Sequence, residues 1–139
     1  VYGDDYYQKA NDEICVVLMI EDIKAVEKIE DILNVSGIDV IFIGPNDLAS
    51  SMGITLGMDN NNPEHKEAVN KVYQACSNRG IPMGIHCVDG KEVKKRIKEG
   101  MRWMPIASDV RLLKSSFEEE LKKISSFDAI SQKDGRFFY

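Results

Sequence analysis

Four short apolar runs alternate with four amphipathic segments along this chain, and that alternation restricts its fold more than any other feature. Residues 14–20 are continuously apolar and include Val16 and Val17, the pattern of a strand covered on both faces. Ile23, Val26, Ile29, Ile32 and Leu33 then recur at helical spacing, with Glu27, Lys28, Glu30 and Asp31 on the opposite side and Gly37 as a stop signal. Residues 40–43 are the second predicted strand. A long connection over 48–62, rich in Ser, Gly and Asn, leads to Pro63, which opens a helix with the apolar face Ala68, Val69, Val72, Ala75 and Cys76, ended by Gly80. Residues 82–87 are the third strand; Asp89 caps a helix carrying Val93 and Ile97, closed by Gly100. A fourth strand over 101–107 and a helix over 110–124, with Leu112, Leu113, Phe117, Leu121 and Ile124 inward, complete the series.

Strand then helix, four times over, is the pattern of a parallel α/β sheet with right-handed crossovers. A doubly wound open sheet and part of a (β/α)8 barrel both satisfy it. Barrels run to about 250 residues, so 139 residues correspond to roughly four of eight units. The expected organisation is a partial-barrel domain over 1–125 and a tail over 126–139 that ends Arg136-Phe137-Phe138-Tyr139. The opening stretch over 2–11 is polar-aromatic, without an obvious cap or initiating methionine, as in a chain cut from something longer.

Composition narrows the function classes. An apolar content of 43% suffices for a real core, and a net charge of −5 with interspersed signs offers no basic stripe for nucleic acid. No apolar run approaches the roughly 18 residues of a membrane span, and the first residues lack the order of a signal peptide. Cys15, Cys76 and Cys87 show no CxxC spacing and are expected to be buried free thiols in a reducing cytoplasm.

Two carboxylates stand where chemistry is expected. Glu21 ends the first strand and Asp47 closely follows the second, and strand ends on one face of a parallel sheet are where ligands bind. Asp22 is free to cap the next helix, which releases Glu21 for another role. Two converging acids suit a hard divalent cation; the plain alternative makes Asp47 a cap at a strand-to-loop turn. In Gly44-Pro45-Asn46-Asp47-Leu48, glycine lets backbone approach a ligand and proline stiffens the turn, whose amides can face a small carboxylate. His86 and Asp109 follow the third and fourth strands. His86 is a base, a ligand or a rim side chain, and Asp109 is expected to cap the last helix. His65, at a helix start, is expected to be solvated. The two histidines form no metal-ligand pair, and no GxSxG, P-loop or GxGxxG is present.

At these residues the chain resembles the HpcH/HpaI aldolase family of class II pyruvate-dependent aldolases. The likeness rests on Leu18-Met19-Ile20-Glu21 and on Ile43-Gly44-Pro45-Asn46-Asp47-Leu48 within 35–53, with support from 80–85, 99–103 and 107–109. It extends over about 2–124. The resemblance implies a (β/α)8 barrel in which Glu21 and Asp47 bind Mg²⁺, Mn²⁺ or Co²⁺. Pyruvate would chelate that cation, with its carboxylate held by amides around Asn46 and Asp47. Gly44, Pro45, Asn46, Asp47 and Met19 then border the substrate; Met19 stands where several members carry a glutamine. The family's catalytic histidine, its acidic partner and an arginine belong to the first half of the barrel, which this chain is expected to follow. No catalytic residue is therefore assigned, and neither His86 nor Arg102 inherits such a role.

The implied reaction is carbon–carbon cleavage of a 2-keto-3-deoxy or 4-hydroxy-2-oxo acid to pyruvate and an aldehyde, by a cytoplasmic homo-oligomer. Two alternatives remain open: a CoA-ester lyase of the citrate or malyl type, which the loop over 50–62 disfavours by its Ser51-Met52-Gly53 start, and a non-catalytic assembly module with exposed strand edges.

Overall fold

The structure is a computed structural model that describes residues 3–124. Its chain divides into two compact units, Val1–Ile106 and Ala107–Tyr139. The first unit holds helix α1 (Tyr6–Glu13), strand β1 (Val17–Ile20), helices α2 (Ile23–Glu27) and α3 (Ile29–Ile32), strand β2 (Val40–Ile43), helices α4 (Pro45–Ser51) and α5 (Pro63–Arg79), strand β3 (Met83–Ile85) and helix α6 (Gly90–Lys98). The second holds helix α7 (Asp109–Lys122). The expected tail over 126–139 lies outside the described residues.

The three strands form a parallel sheet in the order β1-β2-β3, so the α/β architecture is the one the alternation implied. β2 is central, paired on both edges, and its Val40, Ile41 and Ile43 are buried. Ile20, Ile85, Leu48 and Val72 join Ile41 and Ile43 in one apolar core between the sheet and α5. Each such side chain contributes about 1.5–3 kcal/mol when fully removed from water.

Local chemistry explains the helix ends. Asp22 Oδ1 accepts from the Lys24 N–H at 2.8 Å, as expected of an N-cap. Asn62 caps α5 through the Glu64 N–H, Pro63 takes its first position, and Gly80 closes it at φ 68°. Asp89 accepts from the Glu92 N–H, while Glu92, itself buried, accepts the Val88 N–H and pairs with Arg96. The pair differs from a capping box in that Glu92 reaches back to the N–H of Val88, one residue before the cap, and not to that of Asp89 itself.

Several expectations are corrected. The first strand is only Val17–Ile20; it pairs with β2 alone, and Ile14 and Val16 are exposed. The single helix expected over 23–33 breaks at Lys28 (φ −99°, ψ 16°) into α2 and α3. The connection after β2 begins with α4, because Pro45 starts a helical turn that Leu48 and Ala49 anchor in the core. Residues 101–107 form isolated bridges, Gly84 to Trp103 and Cys87 to Ile106, in place of a strand. Pro105 between them has no N–H to donate, although its carbonyl accepts from Cys87 at 3.0 Å. Cys15 is exposed; Cys76 and Cys87 are buried as expected, and burial pushes each of those thiols up to about 11. In α7, Leu112, Leu113, Phe117 and Ile124 are exposed, since their own unit offers no second described element to bury them against. Ser108, one residue before Asp109, supplies the α7 cap.

Gly84 shows how closely the 101–107 segment lies on β3: a Cβ there would run into the backbone of Trp103, with the Trp103 Cβ at 2.7 Å. Gly84→Ala is accordingly expected to push this segment away and lower stability by about 1–3 kcal/mol, the usual cost of overpacking. Urea denaturation checks this.

Candidate metal centre

Strand register sets the site. Ile20 lies opposite Ile43, and Ile43 opposite Ile85. The next residue of each segment, Glu21, Gly44 and His86, therefore forms a row at the C-terminal ends of the strands, the edge at which parallel α/β sheets bind ligands. A Cβ on Gly44 would fall on the Glu21 carboxylate, with Glu21 Cγ at 3.0 Å and Cδ at 3.1 Å. Glu21 thus lies across Gly44, half-buried at the strand end.

Asp47 comes to the same place from the first turn of α4. Its exposed carboxylate is close enough to interact with Glu21 through space and within hydrogen-bonding reach. Burial, and then the neighbouring Asp47 charge, hold the Glu21 carboxyl above the usual carboxylate range. The structure brings these two sequence-selected acids together.

α4 is tied down at both ends. Ser51 Oγ accepts from the Ile23 N–H at 3.0 Å and donates to the Leu48 carbonyl at 2.8 Å, joining the end of α4 to the chain just beyond Glu21. At the other end His65 Nε2 meets the Pro45 carbonyl at 3.0 Å. His65 is only 2% exposed, which overturns its expected solvation. The signal was present in the sequence: position 65 lies three and four residues before Ala68 and Val69 and so extends the buried stripe of α5.

The remaining candidates are placed as follows. Gly44 and Pro45 are buried, Asn46 is half-buried, and Met19 is exposed on β1 opposite Phe42. Asn46 Nδ2 donates to Met58 Sδ at 3.2 Å, and its Oδ1 is buried with no hydrogen-bond partner among the described residues. His86 is half-buried, its N–H donating to the Ile43 carbonyl at 3.3 Å. Asp109 belongs to the second unit.

Glu21 and Asp47 supply two hard oxygen donors. No group of three or more His, Cys, Asp and Glu is arranged for a metal among the described residues. Two carboxylates nevertheless fit a Mg²⁺-like cation, which commonly takes one or two from the protein and fills its other positions with water and substrate oxygens. The acid pair does not line the cleft of about 500 Å³ beside α5 and α6. There, Asp59 bonds Lys95 and Arg96, and Arg96 also pairs with Glu92 and Glu99, so both of these cations already have acidic partners. Among the described residues, no helix is long and apolar enough to cross a membrane.

Known proteins share this framework. The hydroxypyruvate/pyruvate aldolase of Paraburkholderia phytofirmans is 31% identical over 122 residues, covering 88% of this chain and 46% of that protein. A 4-hydroxy-2-oxo-heptane-1,7-dioate aldolase of Shigella flexneri is 32% identical over 130 residues, covering 91% and 47%. The crystal structure of a HpcH/HpaI aldolase/citrate lyase family protein from Burkholderia cenocepacia superposes with a TM-score of 0.80 at 31% identity, covering 88% of this chain and 47% of that one. The chain thus spans about half the length of the curated relatives it matches. A family model for HpcH/HpaI aldolase/citrate lyase matches residues 2–116, and the chain belongs to that family.

Proposed function

We propose that the intact protein is a divalent-metal-dependent aldolase that cleaves 4-hydroxy-2-oxo acids to pyruvate and an aldehyde, acting as a homo-oligomer. The observation that carries this reading is the meeting of Glu21 with Asp47 at the strand ends of a chain in this family. In it, the alternating strands and helices belong to half of a (β/α)8 barrel, and Glu21 and Asp47 hold Mg²⁺, Mn²⁺ or Co²⁺. When bound, the cation supplies Lewis acidity toward the 2-oxo group. Gly44 leaves room for Glu21 beside the cation. Pro45, Asn46 and Asp47 present first-turn backbone to the substrate carboxylate, and Met19 borders the substrate from the exposed face of β1. In the cleaved acid the bond between C3 and C4 breaks, its electron pair stays with C3 beside the 2-oxo group, and the C4 hydroxyl loses its proton as the aldehyde forms.

The test is pyruvate release by the intact protein from 4-hydroxy-2-oxoheptane-1,7-dioate, followed with lactate dehydrogenase. Activity should disappear with EDTA and return with excess Mn²⁺. Pyruvate release indifferent to chelation would remove the metal from the reaction.

A further inference from the structure

Asp47 sits on a helix too short to hold itself in place. α4 has only 7 residues, and Gly44 before it provides no side-chain cap; isolated helices of this length are unstable in water. Something outside α4 must therefore decide where its first turn, and with it the Asp47 carboxylate, stands relative to Glu21. Ser51 ties the far end to Ile23. At the near end, among the described residues, the only side-chain hydrogen bond to the backbone of 44–47 comes from His65, a buried side chain 20 positions after Pro45 in sequence.

From this bond we infer that His65 is a positioning residue for the cation site. The Pro45 carbonyl can only accept, so the Nε2 of His65 carries the proton. As the first residue of α4, Pro45 offers one lone pair to the helical ladder and a second to His65. The peptide between Pro45 and Asn46 is planar and trans, so holding its carbonyl fixes the whole plane. Proline adds a locked φ on the preceding side. His65 thereby sets the direction in which the chain leaves Pro45, and Asp47 follows two residues on. The ring is itself anchored: it lies on the buried stripe of α5, whose start is capped by Asn62. The inference rests on Glu21 and Asp47 binding a cation.

The test measures Mn²⁺ affinity of the intact protein by electron paramagnetic resonance, without substrate. His65→Gln keeps an N–H donor and His65→Met has similar length without one; His65→Phe keeps a ring without a donor. Wild type and His65→Gln should bind within about 3-fold of each other. The donorless variants should bind at least about 10-fold more weakly, the range found when groups that orient metal ligands are removed, while circular dichroism remains that of wild type. Donorless variants that fold and bind as tightly as His65→Gln would overturn the role. So would the failure of both donorless variants to fold, which would make His65 a core residue only. Absence of Mn²⁺ binding by wild type would instead reject the cation reading on which the inference stands.

Discussion

Glu21→Gln is expected to raise the melting temperature of the cation-free protein at pH 7 and, in the same variant, to abolish stabilisation by Mn²⁺. The two effects have opposite signs because they arise from one charge. Without a cation, Glu21 is partly desolvated and faces a second carboxylate, and both conditions disfavour its ionised form. Glutamine preserves the shape and one acceptor oxygen while removing the repulsion with Asp47. With a cation present, the lost charge is the one that would have bound it. A ligand that binds only the folded state at 100 times its Kd stabilises by about 2.7 kcal/mol, a rise of several degrees in Tm for a domain of this size. Wild type should show that rise on replacing EDTA with Mn²⁺, and Glu21→Gln should show almost none. Scanning fluorimetry with and without Mn²⁺ reads both arms. A variant less stable than wild type in EDTA that still responds fully to Mn²⁺ would mean that the acids pair for another reason.

The elements legible in the sequence are those decided by local chemistry or by complete burial. β2 matches its expected span because it is flanked on both edges and apolar throughout. The caps at Asp22 and Asp89 and the stops at Gly80 and Gly100 follow from side-chain acceptors and from glycine's tolerance of positive φ. What escaped depends on partners distant in the chain. The 101–107 segment reads as a strand, yet whether it forms one rests on pairing with β3 and on Pro105 interrupting that pairing. α4 hides in a stretch whose Ser and Asn composition suggests a loop, and Leu48 and Ala49 make it a helix only because a core exists to receive them. For the site, the sequence shows two acids after two strands. That they meet depends on Ile20 lying opposite Ile43, a register that no local pattern encodes. His65 shows the converse: its polarity suggests solvent, while its spacing places it on the buried face of α5.

Gly44→Ala is expected to weaken Mn²⁺ binding by at least about 10-fold, as removal of a ligand-orienting group does, while leaving the fold intact. The backbone does not require glycine here, since Gly44 has φ −87° and ψ 99°, a region open to every L-residue. Only space requires it. An added methyl would occupy the volume of the Glu21 carboxylate, and Glu21, a flexible side chain at a strand end, can swing away at little cost to the core. The consequence falls on the site: the Glu21 oxygens leave the position facing Asp47, and the two-donor arrangement is lost. Gly90→Ala is the matched control. Its new methyl meets nothing within 4 Å at the start of α6, and the gain of alanine over glycine at this first helical position is at most the about 0.5–1 kcal/mol of a helix interior. That variant should bind Mn²⁺ as wild type does and unfold at slightly higher urea. Wild-type Mn²⁺ affinity in Gly44→Ala would show that Glu21 does not need to lie across Gly44 to bind, and would detach the carboxylate pair from the cation.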